Sequence, residues 1–207
     1  MRTLKLLCPL AAAAALLIAT PALAQQAGEW TLGVGAHGVS PKSDNGSLAG
    51  GTLDADVGDN WRPTITGEYF FRDRWGIEIL ASLPFKHDIE LNGVRAGSTQ
   101  HLPPTVSLQY HFTGNQTVKP FIGAGVNYTI FFGQDSTGPL AGTDLDLENS
   151  FGLALHGGLD FAVGTNKYVR LDARWMDIDT DVKVNGADVG TVNIDPMAFG
   201  VAFLWKF

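Results

Sequence analysis

Residues 101–112 read HLPPTVSLQYHF. Even positions carry Leu102, Pro104, Val106, Leu108, Tyr110 and Phe112, and odd positions carry His101, Pro103, Thr105, Ser107, Gln109 and His111. Successive side chains of a β-strand point to opposite faces, so this spacing predicts a strand with one apolar and one mostly polar face. Pro103 and Pro104 each lack a backbone donor, which is awkward in the middle of a sheet and predicts a bulge or bend near one end of the strand.

The same split recurs along the chain. Trp30, Leu32, Val34 and Ala36 oppose Thr31, Gly33, Gly35 and His37, and Trp75, Ile77, Ile79 and Ala81 oppose Gly76, Glu78, Leu80 and Ser82. Similar segments lie near residues 64–71, 122–130, 151–161, 169–175 and 199–207, making eight in all. Most are long enough to cross a bilayer at a tilt of about 45°, which takes roughly 9–11 residues. Short connections at 72–74, 113–117 and 164–167 alternate with long ones at 40–60, 87–100, 133–148 and 179–190 that are rich in Gly, Asp and Asn. An even strand count with short turns on one side and long loops on the other predicts an all-β fold. The expectation is an eight-stranded antiparallel transmembrane β-barrel with short periplasmic turns and long extracellular loops.

Alternation alone does not say which face is inside. A soluble barrel or sandwich hides its apolar face and shows water a surface dense in charge. Here the face opposite the apolar one is mostly Gly, Ala, Thr and Ser with scattered His, Asp, Glu and Arg, as suits the bore of a narrow barrel filled by side chains. The few ions there are expected to pair, Glu78 with an arginine and Arg170 with Asp160 or Asp172. With the N-terminus periplasmic, Trp30, Tyr69, Phe71, Trp75, Tyr110, Phe112, Phe161, Tyr168, Trp205 and Phe207 fall at one rim level, where Trp and Tyr favour the headgroups.

At the N-terminus, Arg2 and Lys5 precede an apolar run from Leu6 to Ala19 and an A-x-A site at Ala22–Ala24. This predicts a secretory signal over 1–24 and a single barrel domain over 25–207; an uncleaved anchor is the rival. Cys8 lies inside the signal, so the mature chain has no thiol or disulfide chemistry. The net charge of −7 becomes two units more negative once Arg2 and Lys5 leave, and an acidic chain repels nucleic acid. Charged residues are 17% of the chain, below the ~25% of ordinary soluble domains.

Several stretches together resemble the outer membrane protein W (OmpW) family: AGEW near the mature start, WGIEILASLPFKH at 75–87, HLPPTVSLQYHF at 101–112, KPFIGAGVNYTIFF at 119–132 and RWMDIDT at 174–180. The resemblance implies a barrel in the outer membrane of a Gram-negative bacterium. It implies a narrow, hydrophobic-lined lumen and passage of small hydrophobic molecules, with lateral release into the membrane. It places Leu80 at one lumen-narrowing position and Arg174 at a second, where members of the family carry Trp. A guanidinium there should seek a carboxylate and favour a closed or more polar constriction. The final aromatics Phe203, Trp205 and Phe207 resemble the signature read by the barrel-insertion machinery.

His37, His101, His111 and His156 share the polar parity, and with Glu78 they are expected to line the lumen as filler rather than as a catalytic set, because no nucleophile–base spacing is present. His87 and Asp88 are expected to be solvated at a loop entrance. Asp177, Asp179 and Asp181 lack the glycine of a calcium loop, with Val182 in its place, and read as a solvated rim. No HxH or HExxH motif is present, so no metal or cofactor is expected. The expected function is a narrow channel for small hydrophobic solutes, with lateral exit at the Pro103–Pro104 bend. The alternatives are a plugged structural or binding barrel and an outer-membrane lipid-modifying enzyme. Outer-membrane lipids, lipopolysaccharide and hydrophobic solutes are the expected partners.

Overall fold

The computed structural model describes residues 25–113 and 117–207; the signal-peptide reading of 1–24 lies outside them. Strands occupy β1 (Trp30–Ser40), β2 (Ser47–Leu48), β3 (Leu53–Val57), β4 (Asn60–Arg72), β5 (Trp75–Ser82), β6 (Phe85–Leu91), β7 (Val94–Leu102) and β8 (Thr105–His111). They continue with β9 (Val118–Ser136), β10 (Leu145–Leu147), β11 (Ser150–Gly164), β12 (Lys167–Met176), β13 (Asp179–Val184), β14 (Ala187–Asn193) and β15 (Met197–Lys206). A 3₁₀ turn, Gly138–Leu140, precedes β10.

Eight of these strands are the staves of a closed antiparallel barrel, in the order β1, β4, β5, β8, β9, β11, β12, β15 and back to β1. Closure runs to the last residue: Phe207 N–H donates to the Trp30 carbonyl at 2.8 Å, and Trp30 N–H donates back at 3.2 Å. Pairing of the last stave with the first removes the open edge that a spanning sheet would otherwise turn to hydrocarbon.

The predicted orientation holds. Leu108, Val126, Ile79 and Leu155 are exposed on the outer wall, while Thr105, Ser107, Glu78 and Ala202 are buried inside. Paired aromatics mark the rim near the termini, with Trp30–Tyr69 ring centroids at 4.7 Å and Trp75–Tyr110 at 4.8 Å. Tyr168 is a correction: it turns inward, buried beside Leu204 and Lys119, because it shares parity with Arg170 and not with the outward Val169. A second outward set, Trp61, Tyr128, Phe151 and Phe199, stands at the other end. Trp61 and Tyr69 are eight positions apart on β4. At about 3.3 Å per residue and a tilt near 40° their separation is roughly 20 Å along the membrane normal, close to the thickness of an apolar band.

The long connections are not loops. β6 and β7 form a hairpin, β13 and β14 form another, and β3 pairs with β6, so the wall continues well beyond the apolar band. Sidedness inverts there. In Leu53-Asp54-Ala55-Asp56-Val57 the acids point out and the apolar residues point in. The extension therefore contains the main apolar core of the chain, built from Val39, Leu48, Phe85, Leu91, Phe131 and Ile178 among others. Outside the bilayer the outer face meets water, so apolar side chains gain by turning inward.

The stretch 101–112 is two strands rather than one. β7 ends at Leu102 and β8 begins at Thr105, with Pro103–Pro104 at the break. Across from it β5 ends at Ser82 and β6 starts at Phe85. The β5–β8 ladder stops at Leu80↔Thr105 and the β6–β7 ladder begins at Phe85↔His101. Between those levels the two segments hydrogen-bond away from one another: Leu83 N–H donates to the Pro63 carbonyl, and the Pro104 carbonyl accepts from Tyr128 N–H. The wall has an unlaced seam there.

Candidate functional site

At the level of the apolar band the bore is filled by ions. Arg170 on β12 donates Nε to Asp160 Oδ1 at 2.7 Å and Nη2 to Asp160 Oδ2 at 3.0 Å, a two-pronged pairing with its cross-strand neighbour on β11. Its Nη1 donates to Glu78 Oε2 at 2.6 Å, Nη2 lies 3.6 Å from Glu68, and the guanidinium stacks 4.1 Å over the Phe121 ring. Arg174 donates Nη2 to Glu78 Oε1 and Nε to Asp172 Oδ2, both at 2.7 Å. Glu68 and Glu78 sit directly opposite each other on β4 and β5, a like-charge pair that only an inserted cation makes tolerable.

Histidines extend the network at both ends. His111 Nε2 donates to Glu68 Oε1 at 2.8 Å and Gln25 reaches its Nδ1 at 3.2 Å; His37 bridges Thr64 and Asp172. His156 Nδ1 lies 3.8 Å from Glu78. The small residues of this face make room for the large ones: a methyl group at Gly123 would overlap the His156 imidazole, and one at Gly200 the His37 imidazole.

The expected Glu78–arginine and Arg170–Asp160 pairs are therefore present, whereas Asp172 pairs with Arg174 and His37 rather than with Arg170. The lumen at this height is polar and packed with side chains, which corrects the hydrophobic lining implied by the family resemblance. Leu80 points inward two positions above Glu78, at the lower lip of the seam.

Apolar lining lies above this network. In register, Arg174 faces His156 and Ala198, and one step higher Met176 faces Ala154 as part of the apolar core. Beyond is a cavity of about 170 Å³. Leu48, Leu91, Leu147 and Val182 wall it, and His87, Thr99 and His101 border it within a surface that is almost wholly apolar.

His101 is therefore inward, as its parity predicts, but it lies far from His37, His111 and His156 in height; the four make no single cluster. His87 is the larger correction. It is 1% exposed, packs 4.7 Å from the His101 ring and donates its Nδ1–H to the Gly58 carbonyl. Burial pushes its pKa down from 6.5. The alternation Phe85, His87, Ile89, Leu91 against Lys86, Asp88, Glu90 carried that signal, since a charged face belongs in water. Asp88 is exposed and pairs with Arg95 at 2.7 Å. On the outer rim, carboxylate oxygens of Asp177, Asp179 and Asp195 come within 4.8 Å of one another, while Asp181 accepts from Thr191.

A closed eight-stranded barrel with an apolar outer wall, two aromatic levels and an ion-filled bore defines an outer-membrane β-barrel protein. The chain belongs to the OmpW family, whose model matches residues 26–207. It is 35% identical to outer membrane protein W of Vibrio cholerae, over 97% of this chain and 98% of that one. The crystal structure of the outer membrane protein OprG from Pseudomonas aeruginosa superposes with a TM-score of 0.78 at 29% identity, covering 89% of this chain and 98% of that one. A Pseudomonas aeruginosa relative named dibenzothiophene metabolism operon protein PahQ is 29% identical over 79% of this chain and 80% of its own.

Proposed function

We propose that this barrel is a passive route by which small hydrophobic molecules cross the polar outer leaflet, entering from outside and leaving sideways into the bilayer. The observation that carries this is an apolar cavity of about 170 Å³ standing over a bore sealed by Arg170, Arg174 and four carboxylates. An apolar solute gains by leaving water for the cavity and loses by entering the ionic layer beneath it. The seam between residues 81–84 and 102–104 begins one residue from His101, which borders the cavity, and offers the lower-cost exit. Leu80 then acts as the lip of the exit, and Arg174 as the bolt of the axial path.

The wall is bathed by outer-membrane lipids, and its outer rim meets lipopolysaccharide. Phe203, Trp205 and Phe207, outward on the closing strand, serve recognition by the insertion machinery. The mechanism is partition without chemistry, so the protein is not an enzyme. A relative whose name refers to dibenzothiophene metabolism is consistent with an apolar cargo.

The test is uptake of a chain-length series of alkanes and aromatics by cells with and without the protein, repeated with a Pro103→Ala, Pro104→Ala double variant. Faster uptake that falls when the prolines are replaced supports the route; uptake indifferent to the prolines removes the lateral exit. The sealed bore equally suits a barrel that only displays its outer rim to partners. That second reading requires no hydrophobic flux at all into liposomes carrying the purified protein.

A further inference from the structure

Three asparagines stitch the walls of the apolar cavity to one another. Asn45 is fully buried and its side chain spans two strands: Oδ1 accepts from Val57 N–H, the last residue of β3, at 3.1 Å, and Nδ2 donates to the carbonyl of Asn193, the last residue of β14, at 2.9 Å. Asn92, at the tip of the β6–β7 hairpin, accepts from Asp54 N–H at 2.8 Å and donates to the Thr52 carbonyl at 3.3 Å, which ties that hairpin to β3. Asn185, at the tip of the β13–β14 hairpin, accepts from Asp144 N–H at 2.9 Å, next to β10. The strands so joined carry Ala55, Leu91, Leu147 and Val182, all of which line the cavity. Satisfied polar links hold the segments they join at fixed spacing. The space of about 170 Å³ is therefore of set size, and the ionic layer beneath it bars growth downward.

We propose that the cavity is a size sieve: it takes a hydrocarbon of one ring, without a hydrogen-bonding substituent, and the asparagine stitches set its upper limit. This deepens the transport reading above and rests on it. Size supports one ring, since a dry apolar cavity of about 150 Å³ accepts benzene or xenon. Among the described residues no Phe, Tyr or Trp lines the cavity, so recognition is by volume rather than by ring stacking. A hydroxyl loses its bonds to water on entering so apolar a surface. A second ring fits only if the walls part, which pulls on the bonds of Asn45 and Asn92. Hydrophobicity alone ranks the larger solute as the tighter binder, because it hides more apolar surface. The sieve reverses that order. Asn45 acts on the solute only through the strands it joins and is a positioning residue.

The test uses the full barrel in phosphatidylcholine nanodiscs with ¹³C-labelled Leu and Val methyls. Methyls of Leu48, Leu147 and Val182 report the cavity, and those of the lipid-facing Leu108 and Val126 report partition into the bilayer. Xenon, toluene, phenol and biphenyl are titrated in turn. Xenon and toluene are expected to shift the cavity methyls. Phenol and biphenyl should bind there about tenfold or more weaker than toluene, although biphenyl shifts the lipid-facing methyls most. Ala55→Leu, which fills the cavity, should abolish the toluene shifts. Asn45→Ala, which leaves the lining intact, should raise biphenyl binding relative to toluene about threefold or more; folding of each variant is checked by heat-modifiable migration. Biphenyl reaching the cavity methyls as readily as toluene would overturn the size limit, as would an unchanged ratio in a folded Asn45→Ala. Phenol binding as tightly as toluene would overturn the exclusion of hydroxyls. Should neither xenon nor toluene shift the cavity methyls, the site falls. Toluene flux into liposomes carrying the protein then decides the transport reading separately, since flux without cavity shifts leaves the route standing and no flux removes both.

Discussion

Replacing Arg170 by methionine tests the ionic seal most directly. The side chain is 2% exposed and serves Asp160 through two bonds and Glu78 through one, with Glu68 3.6 Å away. Methionine keeps most of the length and the contact with Phe121 but removes the charge. Three buried carboxylates then share what Arg174 and the histidines still offer. Breaking a buried pair from one side costs about 3–5 kcal/mol, because the remaining charge is stranded. Arg170→Lys keeps the charge and loses the fork, so a smaller loss of about 1–3 kcal/mol is expected. The assay is urea unfolding in phosphatidylcholine vesicles, read by tryptophan emission and by the mobility of the folded barrel on unheated gels. The decisive variant adds Asp160→Asn and Glu78→Gln to Arg170→Met. With the stranded charges neutralised, much of the stability should return, and ion conductance in planar bilayers should stay low. If Arg170→Met unfolds within about 0.5 kcal/mol of the parent, or the triple variant is weaker than the single one, the charge-compensation argument fails.

Three further outcomes are expected. Gly123→Val and Gly200→Val should each reduce the folded fraction strongly, since their side chains overlap His156 and His37, whereas outward-facing Gly67→Val, with open space around it, should fold as the parent does on unheated gels. His87 should keep its Nδ1–H tautomer and remain neutral at pH 7, since burial lowers its pKa. As pH falls below 6.5 the unfolded chain takes up the proton first, so the β3–β6–β7 extension should lose stability, measured by amide exchange across residues 85–102 between pH 7.5 and 5. Phe207→Ala should lower the amount assembled in cells while leaving refolding into detergent nearly unchanged, because Phe207 keeps its backbone bonds to Trp30 whatever its side chain.

The barrel itself was legible in the sequence because lipid and lumen make opposite demands on alternate residues. The parity of 101–112 survived even the break at Pro103–Pro104. The eight staves, the inward Leu80 and Glu78 and the pairing of Arg170 with an acid on its own face all follow from that one rule, which left Asp160 and Asp172 equally open as the partner. The extension was missed because Gly, Asp and Asn at its turns look like loop composition. Yet Asn92-Gly93 and Asn185-Gly186 are hairpin turns, with positive φ at all four residues, and the strands between them alternate charged and apolar. The rule that placed the apolar face toward lipid had to be reversed above the bilayer. The same density of charge that argued against a soluble barrel when absent was present in 53–57 and 85–91. The His87–His101 pair could not be seen at all, because it depends on a hairpin register that sequence spacing does not fix.

The inverted sidedness gives the molecule two thermal characters. The extracellular collar packs oily side chains out of water, and this kind of cohesion weakens on cooling. The embedded staves are held by ladder bonds and ion pairs, which have no comparable loss. Chilling should therefore loosen the mouth while the shaft stays rigid, so that the temperature of the habitat acts on the entrance alone.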